Sequence, residues 1–384
     1  MRTWTLPEHI EDLLPADARK LEHLRRAVLV RFERCGFELV MPPLLEYLES
    51  LLSGSGHDMD LATFKLVDQL SGKTMGVRAD TTPQVARMDA HLLNRQGVAR
   101  LCYAGSVLHT LPLGTGKSRQ PFQVGAEIYG HAGLEADMEI QQLMIDVLRL
   151  LGVEGLQLDI GHPAIFRSLI ASAGLSPEAA EQVFLATESK DAPALRALLS
   201  KVGDTAAPLL ALPGLYGGAE VLATAVRLLP HDAGIKESLN QLAQIQSHFA
   251  SQGVQVSIDL GELGGFNYES GVTFSVYAKG APDAIARGGR YDEVGKAFGR
   301  ARPATGFSMD LRCLLPLTPD LPQRRAILGP RNSDASALFE VERLRASGEI
   351  VVARLPGHEG HVDEVGCDRE ITNIDGRWVV IPRA

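Results

Sequence analysis

The stretch that decides the fold runs from Tyr103 to Gly130 and reads Tyr103-Ala-Gly-Ser-Val-Leu-His-Thr-Leu-Pro-Leu-Gly-Thr-Gly-Lys-Ser-Arg-Gln-Pro-Phe-Gln-Val-Gly-Ala-Glu-Ile-Tyr-Gly130. Its last part, Phe122–Tyr129, reads as a β-strand that follows a segment rich in Gly, Pro and polar residues. Residues two and four apart on a strand share one face. We therefore expect Gln123 and Glu127 to point to one side of the sheet. The opposite face is apolar and should enter the core; it consists of Val124, Ala126 and Ile128.

A second polar segment lies upstream and reads Val77-Arg-Ala-Asp-Thr-Thr-Pro-Gln-Val-Ala-Arg87. Asp80 and Thr82 are two residues apart just before Pro83, and a strand here would let both converge with Gln123 on one cavity. Buried carboxylates and amides are stable only when a donor or a cation satisfies them, so this cavity would suit an ammonium group or an imidazole N–H. From the pattern alone, the alternative is a solvated strand face without a ligand.

The order of the elements shows hairpins and no regular crossover rhythm, which predicts an α+β fold with a largely antiparallel sheet flanked by helices. Apolar stripes predict helices at Asp17–Cys35 and Ala136–Leu151. Further strands are expected at Phe37–Pro43, Thr74–Arg78, Ala99–Tyr103, Leu156–Ile160, Val254–Leu260 and Val272–Ala278.

Composition along the chain predicts two domains. Residues 1–320 contain the expected sheet, interrupted at about 163–250 by an Ala- and Leu-rich helical insertion. The proline-spaced stretch Leu315–Pro322 has the character of an interdomain linker. Residues 323–384 then predict a small C-terminal α/β domain. Its expected elements are strands at Ala326–Leu328, Ile350–Leu355 and Trp378–Ile381 and a helix at Ala335–Ala346.

The overall composition narrows the classes of function. The 384 residues carry a net charge of −9, which provides no chain-wide positive field to attract a polyanion such as tRNA. The four cysteines stand far apart, which argues against a disulfide framework or a structural zinc site and favours a reducing compartment. The sequence has neither a signal peptide nor an apolar run long enough to span a membrane, so we expect a cytoplasmic location.

Two glycine-dense segments, Leu263–Tyr268 and Arg287–Asp292, have the composition of ordinary turns when each is taken alone. Neither matches a Walker or a Rossmann fingerprint, so no nucleotide cofactor is expected. No histidine or cysteine spacing predicts a metal site.

Five segments taken together resemble a known family. Gly36–Glu46 resembles motif 1 of the class II aminoacyl-tRNA synthetases, Tyr103–Gly130 resembles motif 2, and Ala304–Leu314 resembles motif 3. The two glycine-dense segments look like the signatures of histidyl-tRNA synthetase. The resemblance covers about residues 5–315 and implies the class II synthetase fold, with its antiparallel sheet flanked by helices.

Comparison with these motifs shows that the catalytic positions are degenerate. His109 replaces the motif 2 arginine that contacts the α-phosphate of ATP, and Gly264 and Cys313 replace two further arginines. Leu111 replaces the glutamate that reads adenine, and Pro121 replaces the aromatic residue that stacks on it. Removal of one fixed donor commonly costs about 10²- to 10³-fold in rate, so these losses argue against a catalytic role.

The positions that hold histidine in the synthetase carry suitable residues in this chain. The resemblance implies a histidine-binding site formed by Asp80, Thr82, Gln123, Glu127, Tyr268 and Tyr291. One departure is Glu269, which stands at the second tyrosine of the first histidine signature. The resemblance therefore implies a ligand pocket that has kept its amino-acid contacts and lost its catalytic cations.

This combination is similar to the regulatory-subunit family of ATP phosphoribosyltransferase, which is paralogous to the synthetase. The resemblance implies that a short-form catalytic subunit is the partner in a hetero-octamer, that the chain forms a homodimer within it, and that L-histidine is the feedback effector. It implies no tRNA and no membrane partner. One alternative is an active histidyl-tRNA synthetase or related amino-acid ligase, in which Lys117 and Arg119 supply phosphate contacts. Another is a pseudo-synthetase that serves a different enzyme or acts as a free-standing amino-acid sensor.

Overall fold

The computed structural model describes residues 4–53, 57–112, 114, 117–264, 269–323, 325–331, 334–355, 357 and 366–383. The chain divides into two compact units, Met1–Pro319 and Asp320–Ala384. Within the described residues, no helix has both the length and the apolar character needed to cross a bilayer.

The first unit contains twelve α-helices and twelve strands among its described residues. The helices are α1 (Pro15–Arg34), α2 (Leu48–Leu51), α3 (His57–Ala62), α4 (Thr82–Arg87), α5 (Leu134–Leu150), α6 (Pro163–Ala173), α7 (Pro177–Glu188), α8 (Ala192–Leu199), α9 (Ala206–Ala211), α10 (Glu220–Leu228), α11 (Ala233–Ser251) and α12 (Leu311–Leu314). The strands are β1 (Glu38–Leu39), β2 (Leu45–Tyr47), β3 (Phe64–Val67), β4 (Thr74–Val77), β5 (Ala99–Ser106), β6 (Phe122–Tyr129), β7 (Gln157–Gly161), β8 (Tyr216–Gly217), β9 (Gln255–Asp259), β10 (Thr273–Tyr277), β11 (Ala286–Arg290) and β12 (Ala304–Asp310).

Nine of these described strands form one large sheet in the order β1-β5-β6-β12-β11-β10-β7-β9-β8. The pairs β1–β5 and β7–β9 are parallel, and the other pairs are antiparallel. A smaller antiparallel sheet has the order β2-β4-β3. The predicted α+β fold with a largely antiparallel sheet and flanking helices is therefore confirmed.

The main core lies where α1 and α5 pack against the large sheet. Val28 and Phe32 of α1 and Ile140 and Met144 of α5 are completely buried in it. The predicted apolar face of β6 enters the same core through Val124, Ala126 and Ile128, none of which is more than 1% exposed. The apolar periodicities of these helices and of this strand therefore predicted the core correctly, because each reports one face of one element.

Between β7 and β9 the chain forms the helices α6 to α11, which make up the predicted helical insertion. Two residues of this region, Tyr216 and Gly217, form β8 and pair with β9 at the edge of the large sheet. Because β9 runs parallel to β7, the chain leaves the sheet after β7 and re-enters it in the same direction. The insertion thus brings Asp159 of β7 beside Ser257 of β9.

Three local predictions were wrong. The strand expected at Phe37–Pro43 is reduced to Glu38–Leu39, and the two prolines at its end cannot donate to a ladder. The strand before Pro83 ends at Val77, so Asp80 lies in a loop and Thr82 begins α4, with proline in its first turn. The segment Arg287–Asp292, which had the composition of a turn, belongs largely to strand β11.

The glycines of β11 serve close packing within the sheet. A Cβ atom on Gly288 would lie 2.6 Å from the ring of Phe274 on the neighbouring strand. A Cβ atom on Gly289 would lie 2.6 Å from the Oε1 atom of Glu269. Since a side chain at either position would have to displace these groups, glycine here marks a close approach between elements.

The second unit is a four-stranded sheet with one described helix, α13 (Ala335–Ala346). Its strands are β13 (Ala326–Leu328), β14 (Val351–Val352), β15 (Cys367–Ile374) and β16 (Arg377–Pro382), in the order β14-β13-β15-β16. The predicted strand, helix and strands are present, and β15 was missed. That strand reads Cys-Asp-Arg-Glu-Ile-Thr-Asn-Ile, which lacks the apolar alternation of a typical strand.

Candidate functional site

Two neighbouring cavities lie over the large sheet of the first unit. One has a volume of about 520 Å³ and the other about 350 Å³. They share Asp80, Arg287 and Ser308 in their linings. The larger cavity, called the first cavity below, is lined by residues of β7, β9, β10, β11 and β12. The smaller one, called the second cavity, is lined by residues that follow β4 and β5 and by residues of β12 and α12.

The first cavity is rich in carboxyl groups. Five of its described lining residues are acidic: Asp80, Asp159, Asp259, Glu262 and Glu269. Two are basic, and one of these, Lys190, places its Nζ atom 2.6 Å from Asp259. The other, Arg287, has a side chain that is 58% exposed. A concave surface with this excess of negative groups raises the local concentration of cations.

Asp80, Thr82 and Gln123 come together at the edge of the first cavity. The Nε2 atom of Gln123 donates to Asp80 Oδ1 at 2.7 Å, and the backbone N–H of Thr82 donates to the same oxygen at 3.2 Å. The Oε1 atom of Gln123 accepts from the backbone N–H of Thr81 at 3.0 Å. These bonds fix the Asp80 carboxylate in position, although it stands on a loop and not on a strand.

Glu127 lies in the wall next to this cavity and is 1% exposed. The hydroxyl of Tyr129 donates to Glu127 Oε2 at 2.5 Å, and the hydroxyl of Tyr291 donates to the same oxygen. Burial raises the pKa of the Glu127 carboxyl to about 7, against the opposing effect of the two tyrosine hydroxyls. Tyr291 lines the first cavity and Glu127 does not, so Glu127 fixes the orientation of a lining residue through this hydrogen bond.

Other predicted site residues have different positions. Tyr268 lies outside the described residues. Thr82 and Tyr291 line the first cavity, whereas Gln123 lines the second. Sequence reasoning missed Tyr103, whose hydroxyl lies 3.1 Å from Thr82 Oγ1 and which sits against Gly125. It also missed Asp159 and Asp259; their polar side chains within strands were the available signal.

Three of the five degenerate positions meet in the second cavity. His109, Pro121 and Cys313 all line it, together with mostly apolar residues. Gly264 lines the first cavity instead, and Leu111 is 72% exposed. The three substitutions therefore lie in one cavity. The sequence alone could not show this, because His109 and Cys313 are 204 residues apart.

The two residues that replace arginines in the second cavity, His109 and Cys313, each make a hydrogen bond within the protein. The Nε2 atom of His109 lies 2.8 Å from the carbonyl oxygen of Ala79 and donates to it, since a carbonyl can only accept. The thiol of Cys313 donates to Asp310 Oδ2 at 3.1 Å. Burial and the Asp310 carboxylate raise the pKa of this thiol to about 12, so it stays protonated.

Lys117 and Arg119 are the two cations that would supply phosphate contacts in the alternative of an active ligase. Lys117 lines the second cavity, but its Nζ atom lies 3.0 Å from Asp283. Arg119 donates through Nε to the backbone oxygen of His109 at 3.1 Å, and its guanidinium lies 5.1 Å from the ring centre of Phe64. Both cations therefore make contacts within the protein that a phosphate would have to replace.

Comparison with known proteins gives a consistent result along the whole chain. A family model described as histidyl-tRNA synthetase matches residues 9–314, and one described as ATP phosphoribosyltransferase subunit HisZ C-terminal domain matches residues 324–381. The chain is 54% identical over 381 residues to the ATP phosphoribosyltransferase regulatory subunit of Cupriavidus metallidurans, covering 99% of each chain. It is 55% identical over 384 residues to that of Burkholderia lata, covering all of both chains.

Solved structures with the same fold include two of similar length. A Bacillus halodurans protein described as an ATP phosphoribosyltransferase regulatory subunit/histidyl-tRNA synthetase matches with a TM-score of 0.83 and 26% identity, over 94% of this chain and 96% of that one. The histidyl-tRNA synthetase of Nostoc sp. matches with a TM-score of 0.78 and 18% identity, over 100% of this chain and 97% of that one. The second match supports the fold alone.

Proposed function

Because the chain belongs to the family of ATP phosphoribosyltransferase regulatory subunits, we propose that it is the non-catalytic regulatory subunit of that enzyme in L-histidine biosynthesis. In this role it activates a short-form catalytic subunit within a cytoplasmic hetero-octamer and has no tRNA partner. L-Histidine is its feedback effector.

The observation that carries the non-catalytic assignment is the second cavity. A site that activates an amino acid with ATP needs fixed cations beside the phosphates, because negative charge develops there in the transition state. His109 and Cys313 stand in this cavity in place of two arginines and each makes a hydrogen bond within the protein, and Lys117 is paired with Asp283. Apart from Lys117, the described lining of this cavity has Arg287 as its cation, and Arg287 stands at none of the three positions, His109, Gly264 and Cys313, where the synthetase motifs have an arginine.

The first cavity supports the assignment of L-histidine as the ligand. Its excess of carboxyl groups suits the ammonium group of an amino acid. The side chain of Gln123 holds the Asp80 carboxylate in position by a hydrogen bond. Arg287 has an exposed guanidinium in the same lining and suits the ligand carboxylate. We propose that histidine contacts Asp80 and Thr82 directly and that Glu127 and Gln123 position the groups around it. An effector acts only through different affinities for two states of the complex, so feedback requires that histidine favour the inactive one.

An exposed apolar strip supports a homodimer within the complex. Strand β1 is at the edge of the large sheet, and large apolar side chains are exposed on it, after it and on the small sheet. The strip consists of Leu39, Met41, Leu44, Leu45, Tyr47, Leu66 and Val67, each at least 38% exposed. Soluble proteins rarely leave such an edge and such a patch uncovered. We expect Met41→Glu to shift the chain from dimer to monomer in sedimentation equilibrium, and an unchanged dimer would exclude this strip as the interface.

Two assays test the proposed function. The purified chain, incubated with L-histidine, ATP, Mg²⁺ and labelled pyrophosphate, should give no exchange above background, and robust exchange would contradict the non-catalytic assignment. In a complex with the short-form catalytic subunit, the chain should confer activity and sensitivity to histidine. Asp80→Asn should raise the histidine concentration for half-inhibition by about tenfold or more, the equivalent of one charge-assisted hydrogen bond. The control is Glu154→Gln, an exposed loop carboxylate, which should leave inhibition unchanged.

A further inference from the structure

Arg167 of α6 links the helical insertion to a wall of the first cavity. Its Nη1 atom donates to the backbone oxygen of Glu269 at 2.8 Å, and its Nη2 atom donates to the backbone oxygen of Ser270 at 2.9 Å. Glu269 lines the first cavity, and Arg167 is not among the described lining residues. A residue of the insertion that lies outside the cavity therefore holds the backbone of a segment that forms part of its wall.

The two carbonyl groups depend on this guanidinium because the sheet does not reach them. Strand β10 and its ladders begin at Thr273, so residues 269 and 270 lie outside the ladder. Glu269 is 7% exposed, and a buried carbonyl group needs a donor from within the protein. A guanidinium presents N–H groups in a fixed planar fork, which matches two neighbouring oxygens at once.

The other side of this segment is held by the end of β11. The backbone N–H of Ser270 donates to the backbone oxygen of Arg290 at 2.6 Å. The backbone N–H of Asp292 donates to Ser270 Oγ at 3.0 Å. Tyr291, which lies between these two residues in the chain, lines the first cavity. A shift of the backbone at Ser270 therefore disturbs the hydrogen bonds on both sides of a second lining residue.

Helix α6 is tied to the other helices of the insertion. Phe166, next to Arg167, is 1% exposed, and its ring centre lies 6.3 Å from that of Phe184 on α7. The Nε2 atom of His162, at the start of α6, lies 3.2 Å from Gln241 Oε1 on α11. Because these contacts join α6 to α7 and α11, a rotation of the insertion carries Arg167 with it.

We propose that Arg167 is a positioning residue that couples the orientation of the helical insertion to the affinity of the first cavity for its amino-acid effector. This inference rests on the proposed function, in which L-histidine occupies the cavity. When the guanidinium spans the two carbonyl groups, the wall is held in the shape that accepts the ligand. When the insertion turns away, the carbonyl groups lose their donor, the segment relaxes and the affinity falls. Coupling is reciprocal, so the bound ligand in turn favours the orientation in which Arg167 is engaged.

Two substitutions at this position separate the shape of the guanidinium from its charge. Arg167→Lys keeps the positive charge but replaces the planar fork by a compact ammonium group, which does not match two oxygens in the same way. Arg167→Ala removes the fork and leaves a space that a free guanidinium ion fits. Arg167→Lys decides the test if Arg167→Ala does not fold.

The first measurement is calorimetry of L-histidine binding to the full chain at neutral pH. Both Arg167 variants should bind histidine about tenfold to a hundredfold more weakly than the wild type, the range for one hydrogen bond to a charged group. Millimolar guanidinium chloride should restore binding to Arg167→Ala, and the same concentration of sodium chloride should not. The control is Arg196→Met, which removes an exposed arginine from α8 of the same insertion and should leave the affinity unchanged.

Hydrogen exchange on the same proteins distinguishes coupling from a general loss of structure. In the wild type, bound histidine should slow exchange in α6 and α11 as well as in the segment from Glu269 to Tyr277. In Arg167→Lys at equal saturation with histidine, the slowing should persist in that segment and be lost in the two helices. A residue that only stabilises the fold would leave the effect of the ligand on the insertion intact, and that result would overturn the inference.

Asp80→Asn separates this inference from the proposed function, because it removes the carboxylate assigned to the ligand's ammonium group. If Asp80→Asn weakens histidine binding while both Arg167 variants bind as the wild type does, the role of Arg167 is wrong and the histidine site stands. If the wild-type chain binds no histidine, the proposed effector site is wrong and the coupling is wrong with it.

Discussion

Replacing Glu127 by Gln tests the electrostatics of the site wall most directly. The carboxyl has a pKa of about 7 in the folded chain and 4.5 in a solvated reference, mainly because it is buried. Below pH 4.5 the carboxyl is protonated in both states, so it imposes no cost on folding. As the pH rises from 4.5 to 7, the unfolded chain releases the proton while the folded chain retains it, and the free energy of unfolding falls. The difference corresponds to about 3 kcal/mol, at about 1.4 kcal/mol for each tenfold change in the equilibrium.

Glu127→Gln removes this titration and keeps the shape of the side chain. The amide oxygen can accept from Tyr129 and Tyr291, as Glu127 Oε2 does in the native chain. We therefore expect the variant and the wild type to have similar free energies of unfolding at pH 4.5. The variant should become more stable than the wild type by about 3 kcal/mol at pH 8.

The assay is urea unfolding at half-unit steps from pH 4.5 to 8.5, with the difference between variant and wild type plotted against pH. Taking the difference cancels the titration of all other groups that the substitution leaves unchanged. Glu154→Gln, at an exposed loop position, should differ from the wild type by less than about 0.5 kcal/mol at every pH. If the Glu127→Gln difference is flat with pH, the carboxyl is not protonated near neutrality and the reasoning about its burial is refuted.

Three further predictions concern the frame of the site and the division of the chain. Arg290→Met should lower the free energy of unfolding, measured with urea, by about 3–5 kcal/mol, because it leaves Asp137 as an unpaired buried charge. The double variant with Asp137→Leu should recover most of this loss, and no recovery would contradict the explanation. Gly288→Ala should cost about 1–3 kcal/mol or more, because its Cβ atom would meet the backbone oxygen of Gly306 on β12 and the Phe274 ring on β10, and a neutral effect would show that the strands separate easily. Limited trypsin digestion should cut first near Arg325, whose side chain is 80% exposed, and leave a resistant fragment of the first unit; a first cut inside that unit would contradict the proposed boundary at about residue 320.

The sequence was sufficient for the elements that carry a strong local pattern. The apolar stripes of α1 and α5 and the alternation of β6 predicted which residues enter the core, since helix and strand geometry fixes which neighbours share a face. The same reasoning failed for β15, a strand between β13 and β16 with charged residues along it. Its pairing rests on backbone hydrogen bonds, which do not require apolar side chains.

The motif resemblance assigned positions to the degenerate residues and to the polar residues of the pocket, but it could not give their environment. Asp80 was expected on a strand and lies on a loop, held by a side chain 43 residues away. Gly288 and Gly289 had the composition of a turn and lie in a strand, where a side chain would meet the Gly306 backbone oxygen at the first position and the Glu269 carboxyl at the second. These features depend on which strands lie side by side, and local spacing does not contain that information.

By itself, therefore, the sequence determined the class of fold and the main core positions, because these follow from residue type and short-range periodicity. The loss of the arginines followed from the resemblance to the synthetase motifs. The tertiary structure alone decided that His109, Pro121 and Cys313 share one cavity and that Glu127 is enclosed by two tyrosines. The physical reason is that burial, hydrogen-bond partners and protonation are properties of packed neighbours, and the folded chain brings those neighbours from distant positions in the sequence.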